Sequence, residues 1–117
     1  MDERILKWLF DVKLAIEEIE SYFIHSGKNF LEYKKNTMLK RAVERDLEII
    51  GEAINRILKS DPEFENNITN SKAIISLRNH VIHAYDSISD ENIWSILINH
   101  LPKLKSEIIQ LIDSNPE

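Results

Sequence analysis

Apolar residues recur every three or four positions along three long stretches of the chain, and this spacing is the strongest constraint on its fold. The stretches run from Ile5 to Phe23, from Leu39 to Ile57 and from Ile93 to Leu111. Such spacing places apolar side chains on one stripe of an α-helix. With only two Gly and three Pro in 117 residues, a sandwich or barrel with many tight turns is disfavoured. We therefore expect an all-α protein, an antiparallel bundle of four to five helices forming a single domain over residues 1–117.

Capping residues mark the ends of the first two helices. Asp2 is placed to cap a helix over residues 2–25, and Gly27 supplies the positive φ that commonly follows a helix end. His25 would then favour the negative end of the helix dipole. The second helix is predicted to open near Asn36-Thr37 and to close before Ser60-Asp61-Pro62. Gly51 lies inside it and indicates close approach of another helix.

The second half of the chain is predicted to contain shorter helices. Ile74, Leu77 and Val81 have the spacing of a third helix, and Ser87 or Ser89 can cap a fourth. Pro102 removes a backbone hydrogen bond in the middle of the last apolar stretch, so the helix there should kink or split.

The distribution of charge leaves two interpretations open. The net charge of −5 argues against a general polyanion binder, yet residues 34–59 carry seven basic and four acidic side chains. A basic face there would meet phosphate or an acidic partner, or it would simply be solvated. Its members are Lys34, Lys35, Lys40, Arg41, Arg45 and Arg56.

The absence of certain features limits the possible functions. Without Cys, disulfide scaffolds, thiolate zinc sites and cysteine nucleophiles are excluded, and a reducing compartment is expected. No apolar run approaches the roughly 20 residues that span a bilayer, and the charged N-terminus lacks a signal-peptide core. We expect a cytoplasmic protein that is neither exported nor embedded in a membrane.

One dense cluster of side chains is able to move protons or hold an anion: Arg78, Asn79, His80, His83 and Tyr85. His80 and His83 could share a metal ion, but no His-Glu-x-x-His pattern accompanies them. We therefore expect no metal site.

A regular helix cannot bring the cluster together. Arg78 and Tyr85 would lie about 20° apart around the helix axis, whereas Arg78 and His83 would lie about 140° apart. Either the helix ends or distorts near His83, or two copies face each other in a symmetric dimer with a composite site. In a purely structural alternative, Arg78 pairs with Glu48 or Glu52 while His83 and Tyr85 cap the third helix.

The segment Leu77-Arg78-Asn79-His80-Val81-Ile82-His83-Ala84-Tyr85 resembles the signature of HepT-like HEPN domains, an Arg and a polar residue followed after three positions by His-x-Tyr. The residues from Arg41 to Ala53, including Gly51-Glu52-Ala53, resemble the second helix of that family. Ile93-Trp94 followed by Leu101-Pro102 resembles its C-terminal part.

This resemblance implies a HEPN bundle that dimerises through the motif-bearing helices. It also implies a metal-independent ribonuclease without a cofactor, acting as the toxin of a type VII-like toxin–antitoxin pair. The partner would be a minimal nucleotidyltransferase of the MntA type, which in the family can inactivate the toxin by transferring AMP to the motif tyrosine, Tyr85 in this sequence.

The residue types fit this chemistry. Cleavage without a metal uses the RNA 2′-hydroxyl as nucleophile, and His83 has the near-neutral pKa of a base that accepts its proton. Arg78 offers a permanently charged fork to the phosphorane oxygens, and Asn79 would have a supporting role. The 2′-hydroxyl restricts the substrate to RNA, for which the resemblance suggests transfer RNA. AMP on Tyr85 would repel and block RNA beside Arg78.

Two alternatives remain open. A non-catalytic HEPN module that binds a nucleotide or a partner and regulates it is favoured by the acidic net charge. A purely structural dimerising bundle, in which the motif packs an interface, predicts that Arg78→Ala lowers stability and leaves no activity to lose.

Overall fold

All regular structure in the described residues of the computed structural model is helical. The described residues are 2–25, 27–69, 74–75 and 89–114. The helices are α1 (Glu3–Ser21), α2 (Phe30–Lys35), α3 (Thr37–Ser60), a 3-10 helix (Pro62–Asn66), α4 (Asp90–Asn99) and α5 (Leu101–Ser114). The prediction of an all-α bundle is confirmed.

The long helix α1 packs on both α3 and α5. Its two ends show that it runs antiparallel to α3. Near the start of α1, Ile5 lines the same surface depression as Ser60, the last residue of α3. Just beyond the end of α1, the Tyr22 hydroxyl donates to Asp46, which lies nearer the start of α3. Helix α4 packs on α5, and α2 and the 3-10 helix both pack on α3.

The apolar stripes predicted from the sequence form the core. Buried positions include Leu9 and Ile16 of α1, Leu47 and Ile54 of α3, and Ile108 of α5. Two predicted members of the stripes, Leu39 and Leu111, are only half-buried and pack against the core from its edge. Ile74 and Ile75 have helical backbone, and the Ile74 side chain is also buried in the core.

Three predicted caps are confirmed by hydrogen bonds to orphan amides at helix starts. Asp2 accepts from the Arg4 amide at 2.7 Å, Asn36 from the Leu39 amide at 3.0 Å, and Ser89 from the Asn92 amide at 3.1 Å. Gly27 has the expected positive φ of 67°.

The prediction at Pro102 is confirmed as well. Helix α4 ends at Asn99 and α5 begins at Leu101, so the last apolar stretch is split into two helices. Pro102 occupies the second position of α5, where no intrahelical partner for a backbone N–H is needed.

The predicted end of the first helix was wrong. Helix α1 ends at Ser21, and residues 22–25 form turns. Phe23 continues the apolar stripe and is 6% exposed, because the turn folds back onto the core after the helix has ended. His25 lies beyond the last turn of α1 and is exposed, so its predicted interaction with the helix dipole was also wrong.

Helix α2 and the 3-10 helix were not predicted. Helix α2 has six residues, too few for an apolar period to show, but its start is capped by Asn29, which accepts from the Glu32 amide at 3.1 Å. No helix in the described part of the chain is long and apolar enough to cross a membrane.

Candidate functional site

The predicted catalytic cluster itself lies outside the described residues. This holds for Arg78 and His83, for the supporting Asn79, for His80, and for Tyr85 with its predicted modification. The described residues nearest to them in the chain are Ile75 on one side and Ser89 on the other. The site is therefore built from the two flanks of this segment and from the helices to which they attach.

The C-terminal flank is attached to the basic region at the junction of α2 and α3. Lys40 Nζ lies 3.4 Å from Asp90 Oδ2, and Lys34 Nζ lies 3.9 Å from Glu91 Oε2. Asp90 and Glu91 form the first turn of α4, where negative charge is also favoured by the helix dipole. The start of α4, which follows the motif-containing segment in the chain, is therefore capped and forms ion pairs with α2 and α3.

The N-terminal flank is attached through the core. Ile74 is 1% exposed and belongs to the same apolar cluster as α1 and α3, and Ile75 packs against that cluster. Both described flanks, at Ile74–Ile75 and at Ser89–Asp90, are therefore attached to the body of the bundle.

Four aromatic rings pack together at the junction of α2 and α4. The Trp94 ring centroid lies 5.8 Å from that of Phe23, 5.7 Å from that of Phe30 and 5.3 Å from that of Tyr33. Tyr33 is fully buried, and burial raises the pKa of its hydroxyl. Tyr33 belongs to the core, and Trp94 packs against it.

The predicted basic face is largely neutralised by acids. Besides Lys34 and Lys40, two of its arginines form ion pairs within α3. Arg45 Nη1 lies 3.1 Å from Glu48 Oε1, and Arg56 Nε lies 3.0 Å from Glu52 Oε1. Glu48 and Glu52 are the acids considered as partners for Arg78. Among the described residues, Lys35 and Arg41 of this face have no ion-pair partner, so the face is a band of alternating charge.

A groove between α1 and α3 lies beside this band. Its volume is about 260 Å³, and its lining comes from both helices. The lining residues are Trp8, Asp11, Arg45, Glu48, Ile49, Glu52, Ala53 and Arg56. Trp8 packs against the core while remaining partly exposed to this groove.

A buried carboxyl group in α3 was missed by the sequence analysis. Asp46 is 2% exposed, and its Oδ2 accepts a hydrogen bond from the Tyr22 hydroxyl at 2.7 Å. The same hydroxyl lies 3.0 Å from Glu18 Oε1. Burial raises the pKa of Asp46 to about 6, with Glu18 adding to the rise and the Tyr22 hydrogen bond opposing it.

The signal for this buried acid was present in the sequence. Asp46 lies three residues after Val43 and four before Ile50, which places it on the apolar stripe of α3. Within the described ranges, no group of three or more His, Cys, Asp or Glu side chains could hold a metal ion.

Comparisons with known proteins identify the family of this chain. A family model described as "Ribonuclease HepT-like" matches residues 12–111, a range that includes the whole motif. No solved structure gives a significant match.

Several curated relatives carry ribonuclease names. "Putative RNase MJ1380" of Methanocaldococcus jannaschii is 33% identical over 111 residues, which cover 92% of this chain and 97% of that protein. "Putative RNase MJ0127" of the same organism is 32% identical over 107 residues, or 90% of this chain and 84% of the relative. "Putative RNase TTE0752" of Caldanaerobacter subterraneus subsp. tengcongensis is 30% identical over 86 residues, 74% of this chain and 76% of the relative. Together with the all-α bundle, these matches establish that the chain belongs to the HepT-like ribonuclease family.

Proposed function

We propose that this chain is a metal-independent endoribonuclease and the toxin of a type VII-like toxin–antitoxin pair. The observation that carries the proposal is the family match over residues 12–111, within which the sequence holds the complete Arg78 to Tyr85 motif. The ribonuclease names of the relatives support the same reaction class.

The proposed reaction needs one base and one permanent cation. His83 accepts the proton of the RNA 2′-hydroxyl as that oxygen attacks the adjacent phosphorus. The bond from phosphorus to the 5′-oxygen then breaks, the leaving oxygen takes up a proton, and a 2′,3′-cyclic phosphate remains. Arg78 stabilises the negative charge of the phosphorane, and Asn79 supports the phosphate or His83. Transfer RNA is the proposed substrate.

The proposed assembly is a homodimer in which two copies of the motif line one cleft. In such a dimer Arg78 of one chain can meet His83 of the other, although the two residues lie about 140° apart around the axis of one regular helix. The antitoxin would be a minimal nucleotidyltransferase that transfers AMP to the Tyr85 hydroxyl, placing a negative phosphodiester beside Arg78. Tyr85→Phe should therefore leave cleavage intact and abolish inactivation by that partner.

The direct test is incubation of the unmodified protein with total RNA in EDTA, followed by gel analysis and mapping of fragment ends. The parent should give discrete fragments, whereas Arg78→Ala and His83→Ala should give none. His25→Ala is the matched control, because His25 is exposed in the turn after α1 and far from the motif in sequence. Mass spectrometry first confirms an unmodified Tyr85. Fragments that persist in His83→Ala, or that require a divalent cation, would contradict the proposal.

A regulatory, non-catalytic module is the second candidate. It is favoured by the net charge of −5 and by the pairing of Lys34, Lys40, Arg45 and Arg56 with acids, which reduces the positive charge that the α2–α3 region offers to RNA. Expression without the partner distinguishes the two. A toxin halts growth and His83→Ala restores it, whereas a regulatory module is harmless in both forms.

A further inference from the structure

Two aromatic rings line a groove between α2 and α4, which we call the α2–α4 groove. Its volume is about 390 Å³, within the range of roughly 300 to 1,000 Å³ that is typical of small-ligand sites. The ring centroids of Phe30 and Trp94 lie 5.7 Å apart, and both side chains are partly exposed. The described residues that line the groove are Phe30, Glu91, Trp94, Ser95, Ile98 and Asn99.

A cation lies beside these rings. Lys34 Nζ is 6.0 Å from the Phe30 ring centroid and 3.9 Å from Glu91 Oε2. The side chains of Lys34 and Glu91 are 53% and 64% exposed, so their ion pair is weak and the lysine can turn to another anion at little cost. Lys35, the next residue, is exposed and has no ion-pair partner among the described residues. The α2 edge of the groove therefore offers positive charge next to an aromatic face.

The α4 edge of the groove carries neutral polar groups. Asn99 Nδ2 donates to Ser95 Oγ at 3.1 Å, and both side chains are exposed. This hydrogen bond leaves the Asn99 carboxamide oxygen and the Ser95 hydroxyl proton available for other partners. An acceptor and a donor side by side match the edge of a nucleobase, which presents both kinds of group.

We propose that the α2–α4 groove binds an unpaired nucleotide of the RNA substrate. The base stacks on the rings of Phe30 and Trp94. Ser95 and Asn99 hydrogen-bond to its edge, and Lys34 meets the adjoining phosphate. Aromatic side chains next to a basic edge are a common means by which proteins hold single-stranded RNA. This inference rests on the proposed function, to which it adds a place where the substrate is held.

An apolar peptide helix fits the groove less well. Such a helix docks through several apolar contacts spaced over two or more turns. Among the described lining residues one aliphatic side chain is exposed, Ile98 at 40%, and its neighbours on α4 include Glu91, Ser95 and Asn99. A peptide helix would bury these polar groups without partners, whereas a nucleotide offers hydrogen bonds to Ser95 and Asn99.

The test measures RNA binding with the proposed cleavage removed. Every protein carries His83→Ala and also Trp8→Phe, so that Trp94 is the only tryptophan, and the probe is a short single-stranded oligoadenylate. Stacking of a base should quench the Trp94 emission as the RNA binds. The same oligoadenylate annealed to oligouridylate should bind more weakly and leave the emission unchanged, because the bases of a duplex are paired and cannot enter the groove.

Two substitutions of exposed serines separate the groove from the effect of added charge. Ser95→Glu puts a carboxylate in the groove and should raise the dissociation constant of the oligoadenylate by about tenfold or more. Ser106→Glu is the matched control, because Ser106 is exposed on α5 and lies outside the described lining of the groove. It changes the net charge equally and should keep the dissociation constant of the protein without it.

Two further variants test the separate contacts. Phe30→Leu keeps an apolar side chain but removes one stacking surface, and it should also weaken binding. Lys34→Gln should reduce the slope of log Kd against log salt by about 0.7, the contribution of one phosphate contact on a single strand. Circular dichroism of each variant confirms that the helices are intact.

Three results would overturn the proposal: no change of Trp94 emission on addition of the oligoadenylate, equal affinity for the single strand and the duplex, or a Ser95→Glu variant that binds as Ser106→Glu does. The proposed function fails separately. If the single strand binds as expected but the protein with His83 intact cleaves no RNA, the groove stands and the ribonuclease does not. If the parent cleaves RNA and Ser95→Glu cleaves it equally well at subsaturating RNA, the reverse holds.

Discussion

The buried carboxyl group of Asp46 should make the stability of this protein depend on pH in an unusual direction. Its Oδ2 accepts from the Tyr22 hydroxyl, but that hydroxyl also lies within hydrogen-bonding distance of Glu18. One hydroxyl proton cannot serve two carboxylates at once, so a proton on either carboxyl supplies the missing donor. Together with burial, this favours the neutral acid.

The size of this pH effect on the free energy of unfolding follows from the pKa of Asp46, which rises from 3.8 to about 6 on folding. Between these values the folded chain binds more protons than the unfolded chain, so stability decreases as the pH rises through the window. Each pKa unit corresponds to about 1.4 kcal/mol, and the whole shift therefore to about 3 kcal/mol. The loss of folding stability caused by ionisation of Asp46 is small at pH 4 and below, and it is fully present above pH 7.

Asp46→Asn should remove this cost, because the amide is neutral at every pH and its oxygen still accepts from Tyr22. We expect the variant to match the parent near pH 4 and to be more stable at pH 7 by up to about 3 kcal/mol, which corresponds to roughly 10 °C in melting temperature. Thermal melts followed by circular dichroism at several pH values between 4 and 8 measure the difference.

Asp113→Asn is the control, since Asp113 is exposed near the end of α5 and its replacement should change stability by less than about 0.5 kcal/mol. The reasoning is refuted if Asp46→Asn is less stable than the parent at pH 7 by an amount that grows as the pH rises from 4 to 7. That result would mean that the ionised carboxylate stabilises the fold.

Substitutions at three further positions test other parts of the fold, each by chemical denaturation at pH 7. Tyr22→Phe leaves Asp46 buried without its donor and should cost about 1 to 3 kcal/mol, and a neutral effect would show that water replaces the hydroxyl. Gly27→Ala should cost about 1 kcal/mol through its φ of 67° alone, because nothing lies within 4 Å of an added Cβ, and Gly27→Asn should cost less. Ile54→Ala removes a fully buried side chain from α3 and should cost about 2 to 5 kcal/mol; a loss below 1 kcal/mol would mean that the core collapses around the site.

Most of the fold could be predicted from the sequence because it depends on local interactions. The starts of α1 and α3 follow from side chains that cap amides two or three positions away, and the end of α3 before Pro62 and the split at Pro102 follow from the missing backbone N–H of proline. The errors occurred where local signals are weak or misleading. Helix α2 is too short to show an apolar period. Phe23 has the spacing of the helical stripe and is buried in the core, but it lies in a turn and not in the helix.

The family could likewise be identified from continuous segments of the sequence, chiefly the motif that holds Arg78, His83 and Tyr85 as its proposed reactive groups, supported by the stretches from Arg41 to Ala53 and from Ile93 to Pro102. These residues are close in the chain, so their types and spacing carry the chemical argument without a tertiary structure. The proposed roles of the three side chains are predictions from sequence and remain for the cleavage and AMP-transfer experiments to test.

The sequence by itself determined the helical stripes, their caps and the family, since all of these are encoded by neighbouring residues. Tertiary structure alone decided that the Tyr22 hydroxyl meets Asp46 and that Lys40 ties the start of α4 to α3, contacts between residues 24 and 50 positions apart. It also decided which charges of α3 face solvent. The physical reason is that packing of the apolar stripes fixes how the helices lie against one another, and only that arrangement brings distant polar groups within bonding distance or leaves them exposed.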